Sequence, residues 1–237
     1  MHVDVAGTRL PAEALLLDKD GTILPFRPAW TTWTEALLGE LAAHLDPARI
    51  AAAIGWDAAR RREEAGGGVA IATMAAFAVG LRTALRAEGF TEGDATRVTG
   101  EAMAVADAAM AAVPVTAHAG FARFLEDCRE AGVPVGVVTG DDASRAESQL
   151  RALGLRHLVG PVIGGDGDLP GKPSPEPIVA GCAAVGVEPA RTTYVGDSLV
   201  DLMAATDAGA AHVAFVAEGE PAAWTRDAHA VVRGFPE

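Results

Sequence analysis

The chain has 237 residues, half of them apolar, with a formal net charge of -13. That length allows one large domain or a core with an accessory domain, and acidic charge spread without a basic block argues against a nucleic-acid surface or an anionic membrane as the main partner. A small anionic ligand stays open, because a metal ion or a few Lys and Arg can make a positive pocket within a negative overall field.

Leu15, Leu16 and Leu17 predict a short buried strand, which runs into Asp18-Lys19-Asp20-Gly21-Thr22. Residues 26–113 then read as helical. Trp30, Trp33, Leu37, Leu41 and Leu45 recur at helical spacing, as do Met74, Phe77, Leu81 and Leu85. Asp46-Pro47 reads as an N-cap with a first-turn proline, and Thr91 as the N-cap of a helix over residues 92–112. With no strand between these helices, the segment is expected to be an all-helical insertion, with Gly66-Gly67-Gly68 as an internal loop. Beyond Ala117, strands are predicted at 133–138, 158–163, 193–195 and 212–216, alternating with helices at 144–153, 174–185 and 199–208. Such alternation predicts an α/β fold, a parallel sheet with helices on both faces. Residues 1–25 and 114–237 would form this core, and residues 26–113 the insertion. Cys128 and Cys182, the only cysteines, lie far apart with no Cys or His nearby at ligand spacing, so neither a disulfide framework nor a structural zinc site is indicated. No basic-then-apolar leader and no apolar run of about 18 residues is present, and a soluble, cytoplasmic protein is the expectation.

Four polar signals fall at or just after the predicted strand ends. They are Asp18-x-Asp20-Gly21-Thr22, Thr139-Gly140-Asp141, Gly171-Lys172-Pro173 and Gly196-Asp197-Ser198-x-x-Asp201. Alone, the first reads equally well as a strand-end turn, and Thr139-Gly140 and Lys172-Pro173 read better as a turn and a helix entry, whereas the place of Gly196-Asp197 after an apolar strand and its following Asp201 favour function. Together they matter, because open α/β sheets bind ligands outside the carboxyl ends of their strands. Residues two apart in an extended segment share a side. Asp18 and Asp20 could therefore divide nucleophilic attack and proton handling between them, as phosphoryl transfer through an aspartyl-phosphate requires. The same alternation turns Lys19 away from both aspartates and gives it no catalytic role.

The ordered set of motifs resembles the haloacid dehalogenase-like hydrolase superfamily, in particular its phosphoglycolate phosphatase-like branch with a helical cap inserted after the first strand. The resemblance implies a Rossmann-like core and magnesium-dependent hydrolysis of a small phosphate monoester. In that pattern Asp18 is the nucleophile and Asp20 the acid and base. Thr139, Gly140 and Lys172 bind the phosphoryl group. Asp18, the Asp20 backbone carbonyl and Asp197 hold Mg2+, while Asp201 supports Lys172 or the metal's waters. An acid at position 20 favours a phosphate ester over a carbon–halogen or carbon–phosphorus bond. The implied partner is a small phosphorylated metabolite, not nucleic acid or membrane, with monomer and homodimer both open. A sugar phosphomutase of the same superfamily and a non-catalytic phosphometabolite-binding protein are the alternatives.

Other conspicuous residues have structural explanations. Asp141 and Asp142 are expected to cap the next helix, and Asp166 and Asp168 to be solvated. Arg60, Arg61 and Arg62 read as a solvated helix face. Trp30, Trp33 and Trp56 read as the core of the insertion. His44, His118, His157, His212 and His229 show no metal-ligand spacing.

Overall fold

The chain begins with an antiparallel hairpin of β1 (His2–Val5) and β2 (Thr8–Pro11), followed by β3 (Ala14–Leu17), which enters a larger sheet. These coordinates come from a computed structural model that describes residues 2–5, 8–63, 73–217 and 219–235. The expected Gly66-Gly67-Gly68 loop lies outside the described residues. Two compact units are present, one of Met1–Pro25 with Val115–Glu237 and one of Phe26–Pro114. Among the described residues, no helix is long and apolar enough to cross a membrane.

The unit Phe26–Pro114 contains α1 (Ala29–Leu41), α2 (Pro47–Ile54), α3 (Met74–Ala87) and α4 (Glu92–Ala111). The stripe Trp30, Trp33, Leu37 and Leu41 is buried on α1, because residues three and four apart share a helix face. It packs with Phe77, Leu81 and Leu85 of α3 and Val98, Ala102 and Ala106 of α4. Trp33 Nε1 donates to Asp107 Oδ1 at 2.8 Å, so its one polar atom is satisfied inside this core. Asp46 and Thr91 cap α2 and α4, their side chains accepting from the Ala48 and Asp94 amides. The unit is not wholly helical. Gly55, at φ 69°, ends α2, and two-residue strands β4 (Trp56–Asp57) and β5 (Arg62–Glu63) pair antiparallel around a turn. Arg60 and Arg61 therefore lie on that turn and not on a helix face. Arg60 bonds to Asp57, and Arg61 to Glu35 of α1.

The other unit continues with α5 (Phe121–Glu130), β6 (Val135–Val138), α6 (Ala143–Ala152), β7 (Val162–Ile163), α7 (Glu176–Val185), β8 (Thr192–Gly196), α8 (Leu199–Ala208), β9 (Ala211–Phe215) and β10 (Ala230–Val232). Its six-stranded sheet has the order β10-β9-β8-β3-β6-β7, with every pairing parallel. The three successive leucines of β3 follow from burial on both faces, which removes any need for polar alternation. Leu15 and Leu17 join Phe121, Phe124, Val137, Val195 and Phe215 on one side, whereas Leu16 joins Val138, Ile178, Cys182 and Tyr194 on the other. Full burial of each such leucine contributes about 1.5–3 kcal/mol.

The predicted strand over 158–163 is mostly absent. A short 3-10 turn at Arg156–Leu158 comes first, and pairing is confined to Val162–Ile163 at the sheet edge. Pro161 has no N–H for a ladder, which shortens the strand. The strand–helix alternation did not single out α5, the edge strand β10 or the N-terminal hairpin.

Candidate active site

The path of the sheet reverses at β3. The chain moves from β3 outward to β6 and β7, then returns to place β8 on the other side of β3. Crevices for ligands form at such a reversal, beyond the carboxyl ends of the strands. Leu17 is in register with Val137 of β6 and Val195 of β8, which sets Asp18, Thr139 and Asp197 just past the ends of three adjacent strands. The Asp18 amide donates to Val195 O at 2.8 Å. The next residues fold back at once, with the Gly21 amide donating to Leu24 O at 2.7 Å. Gly21 sits at φ 90°, and a Cβ there would lie 2.1 Å from Asp197 Oδ2. Glycine is therefore required twice over, by backbone conformation and by the close approach of Asp197.

Asp18, Asp197 and Asp201 each offer a carboxylate oxygen to one cluster, with the three atoms within 4.8 Å of one another. Lys172 Nζ donates to Asp18 Oδ1 at 2.7 Å, to Asp201 Oδ1 at 2.6 Å and to Tyr194 Oη at 2.9 Å, so all three ammonium protons have acceptors. Asp201 Oδ2 accepts from the Ser198 amide at 3.0 Å and from its hydroxyl, in the capping box that opens α8. Both oxygens of Asp201 are thus engaged within the protein. Thr22 Oγ1 donates to Asp197 Oδ1 at 3.2 Å.

Electrostatics separate the three acids. Burial, with repulsion from Asp201 and Asp20, pushes the Asp18 carboxyl up to about 7 despite Lys172. Burial and repulsion from Asp18 and Asp201 raise Asp197 well above the carboxylate range. Burial also opposes charge on Asp201, but Lys172 and the Ser198 hydrogen bond outweigh it and hold that acid low. Lys172 is held well above its ordinary value, because Asp18 and Asp201 overcome the cost of burying it. Three carboxylates face one ammonium, leaving two negative charges uncompensated when all are ionised. Hard oxygen donors with an excess of negative charge suit a divalent cation such as magnesium. The donor set therefore fits such an ion.

Asp20 belongs to a second cluster. Its Oδ2 lies 2.6 Å from Lys19 Nζ, which also reaches Asp141 Oδ2 at 3.0 Å and Gln149 Oε1 at 2.8 Å. Arg145 Nε pairs with Asp141 Oδ1 at 3.1 Å. The expectation that Lys19 turns away from Asp20 is corrected here. Strand β3 ends at Leu17, so the two-residue alternation does not extend through Asp18 to Asp20. Asp20 and Asp141 keep Lys19 above its ordinary value although burial works against its charge. Asp141 is accordingly an ion-pair centre and not a helix cap. The α6 N-terminus instead receives Asp166 Oδ1 on the Ala143 amide at 2.9 Å, so Asp166 is not merely solvated.

Thr139 is buried, and its Oγ1 accepts from the Asp141 amide at 3.1 Å, while Asp141 Oδ1 accepts from the Asp142 amide. Sequence reasoning missed Tyr194, Ser198 and Thr22 as cluster members. Tyr194 left a signal, since it is the only tyrosine and its hydroxyl, set within an apolar strand, needs a buried partner.

The family model for haloacid dehalogenase-like hydrolases matches residues 12–209, so the chain belongs to that family of hydrolases. It is 29% identical over 227 residues to an N-acetylmuramic acid 6-phosphate phosphatase of Pseudomonas aeruginosa, covering 92% of this chain and 90% of that protein. A phosphoglycolate phosphatase of Haemophilus influenzae is 39% identical over 90 residues, which is 38% of this chain and 40% of that protein. Among solved structures, a predicted phosphoglycolate phosphatase from Haemophilus somnus superposes with a TM-score of 0.68 at 19% identity, covering 93% of this chain and 94% of that one. A beta-phosphoglucomutase from Clostridium difficile gives a TM-score of 0.67 at 18% identity, with 94% and 91% covered. At these identities the structural likenesses establish the fold alone.

Proposed function

We propose that the protein is a magnesium-dependent phosphatase acting on a small phosphate monoester through an aspartyl-phosphate on Asp18. The observation that carries this reading is the buried cluster at the sheet reversal, where Asp18, Asp197 and Asp201 face the single ammonium of Lys172. The names of the relatives, which act on phosphoglycolate and N-acetylmuramic acid 6-phosphate, support a small phosphorylated metabolite as substrate.

Asp18, Asp197 and the Asp20 backbone carbonyl would hold the magnesium ion. When bound, it supplies positive charge that keeps Asp18 and Asp197 ionised and offsets repulsion between carboxylate and phosphate. A carboxylate oxygen of Asp18 attacks phosphorus while the bond from phosphorus to the leaving oxygen breaks. Asp20, entering as the acid, gives its proton to that oxygen and releases the alcohol. Asp20, now a carboxylate, takes a proton from water as the water oxygen bonds to phosphorus and the bond from phosphorus to Asp18 breaks. Phosphate leaves, and both aspartates return to their starting states. Lys172 keeps positive charge beside Asp18 throughout, and Asp201 holds Lys172 in place. Of the donors near Thr139, the Asp141 and Asp142 amides already have partners. The Thr139 hydroxyl proton and the Gly140 amide remain for a phosphoryl oxygen. On this reading the choice of leaving group depends on the inserted residues 26–113.

The test is to trap the intermediate. Protein turning over a phosphate ester is quenched and treated with borohydride, which reduces an acyl phosphate at Asp18 to homoserine, read by peptide mass spectrometry. Homoserine at position 18, dependent on substrate and abolished by EDTA, is expected. Turnover with Asp18 unmodified would overturn the nucleophile assignment. A substrate panel containing phosphoglycolate and N-acetylmuramic acid 6-phosphate, followed by phosphorus NMR, should yield inorganic phosphate and not a rearranged sugar phosphate.

A further inference from the structure

We propose that Lys19 is a positioning residue for the proton-transfer step, its ammonium tethering Oδ2 of Asp20 so that Oδ1 is held where the proton is exchanged. The inference rests on the acid and base reading of Asp20 and extends it to a residue that touches neither substrate nor metal. Lys19 is 1% exposed, yet its three N–H groups face three acceptors on separate pieces of chain. Asp20 lies in the loop after β3, Asp141 in the loop after β6 and Gln149 on α6, at 2.6, 3.0 and 2.8 Å. Arg145 pairs with the other oxygen of Asp141, Oδ1. The ammonium therefore stands at a defined point, anchored from the β6 loop and α6 and not only from the β3 loop that carries Asp20.

Asp20 needs such an anchor. It lies beyond the end of β3, in the loop that folds back onto Leu24 and outside the six-stranded ladder. A proton donor displaced by about 1 Å loses up to ~100-fold in rate. Oδ2 is the atom that Lys19 engages, which leaves Oδ1 to carry the exchangeable proton to the leaving oxygen. A purely structural Lys19 would balance buried charge equally well but would have no selective effect on proton transfer. The two roles are therefore separable by the leaving group.

The experiment compares kcat/KM for an alkyl ester, glycerol 2-phosphate, with kcat/KM for p-nitrophenyl phosphate. This constant stops at release of the first product, and nitrophenolate departs without a proton whereas an alkoxide does not. Lys19→Met should lower the alkyl-to-aryl ratio by roughly tenfold or more, within the range for general acid catalysis. A Lys19→Met, Asp141→Asn double variant keeps the cluster's net charge and should show the same change, its aryl turnover proving that it is folded. Gln149→Met, which removes one anchor of the ammonium, should shift the ratio in the same direction by less and decides the matter if the Lys19 variants do not fold. Equal loss on both esters, or an unchanged ratio, overturns the tether. Asp20→Asn run beside them separates the two ideas. If it loses alkyl turnover while the Lys19 or Gln149 variants keep the wild-type ratio, only the tether fails. If Asp20→Asn keeps full alkyl turnover, the acid and base reading fails and takes the tether with it.

Discussion

Two buried charge clusters stand at the carboxyl ends of neighbouring strands, and their charge balance differs. Around Lys172, three carboxylates share one ammonium. Around Lys19, two carboxylates, Asp20 and Asp141, meet two cations, Lys19 and Arg145. The first cluster carries an internal conflict, expressed in the push of Asp18 up to about 7 and of Asp197 well above the carboxylate range. The second is neutral with Asp20 ionised and positive with Asp20 protonated, so in neither state does it offer excess negative charge to attract a cation. Burying unpaired charge costs several kcal/mol per ion, and the cost is kept where an incoming cation or substrate relieves it. A matched set instead holds side chains in place. The difference explains how two aspartates separated by one residue take different parts. Asp18 belongs to the conflicted cluster, where a nucleophile and a cation site belong, and Asp20 to the balanced one, where a proton carrier can be fixed.

Breaking the first cluster at its nucleophile should have the largest effect. Asp18→Asn is expected to reduce turnover by roughly 10⁴-fold or more, measured by phosphate release. Asp20→Asn should cost about 10²–10⁴-fold with an alkyl ester and clearly less in kcat/KM with p-nitrophenyl phosphate.

Stability against pH sharpens the comparison next. The raised carboxyl of Asp18 contributes stability that is full below its ordinary value of 3.8 and is lost as pH rises through about 7. His212, fully buried on β9 and pushed down to about 4 mainly by burial, acts in the opposite sense. Its contribution is full above 6.5 and is lost as pH falls from there toward 4, a change of up to about 3 kcal/mol. Asp197, raised well above the carboxylate range, acts in the same sense as Asp18, so in protein without metal the slopes of these two acids oppose that of His212. In chelator, urea titrations should therefore show stability changing more positively with pH between 4 and 6.5 in Asp18→Asn than in wild type, and more negatively in His212→Asn. A smaller effect is expected from metal addition. Magnesium at 100-fold its Kd should stabilise the wild-type protein by about 2.7 kcal/mol, seen as a raised Tm, and should leave Asp197→Asn unchanged.

What the sequence made legible was local. Leu15, Leu16 and Leu17 announced a strand buried on both faces, and the motifs after the apolar runs marked the strand ends at Asp18, Thr139 and Asp197. Asp46-Pro47 and Thr91 declared their helix starts through chemistry confined to one turn. What stayed hidden depended on residues distant in sequence. Lys19 meets Asp141 and Gln149 only because β6 lies beside β3, and Tyr194 meets Lys172 only because the loop before α7 reaches β8. Asp166 caps α6 from 23 residues away, which no cap pattern of adjacent residues contains. The turn at Arg60 and Arg61 was masked by a charge run typical of a helix surface. Its one local signal was Gly55, which stops α2.

The contrast between the clusters is tested most directly by calorimetric titration of magnesium into chelator-stripped protein. Wild type is expected to bind one ion, Asp197→Asn to lose that binding, and Asp141→Asn, altered in the balanced cluster, to retain it. Undiminished binding by Asp197→Asn, or loss of binding in folded Asp141→Asn, would contradict the assignment of the cation to the Asp18 and Asp197 cluster.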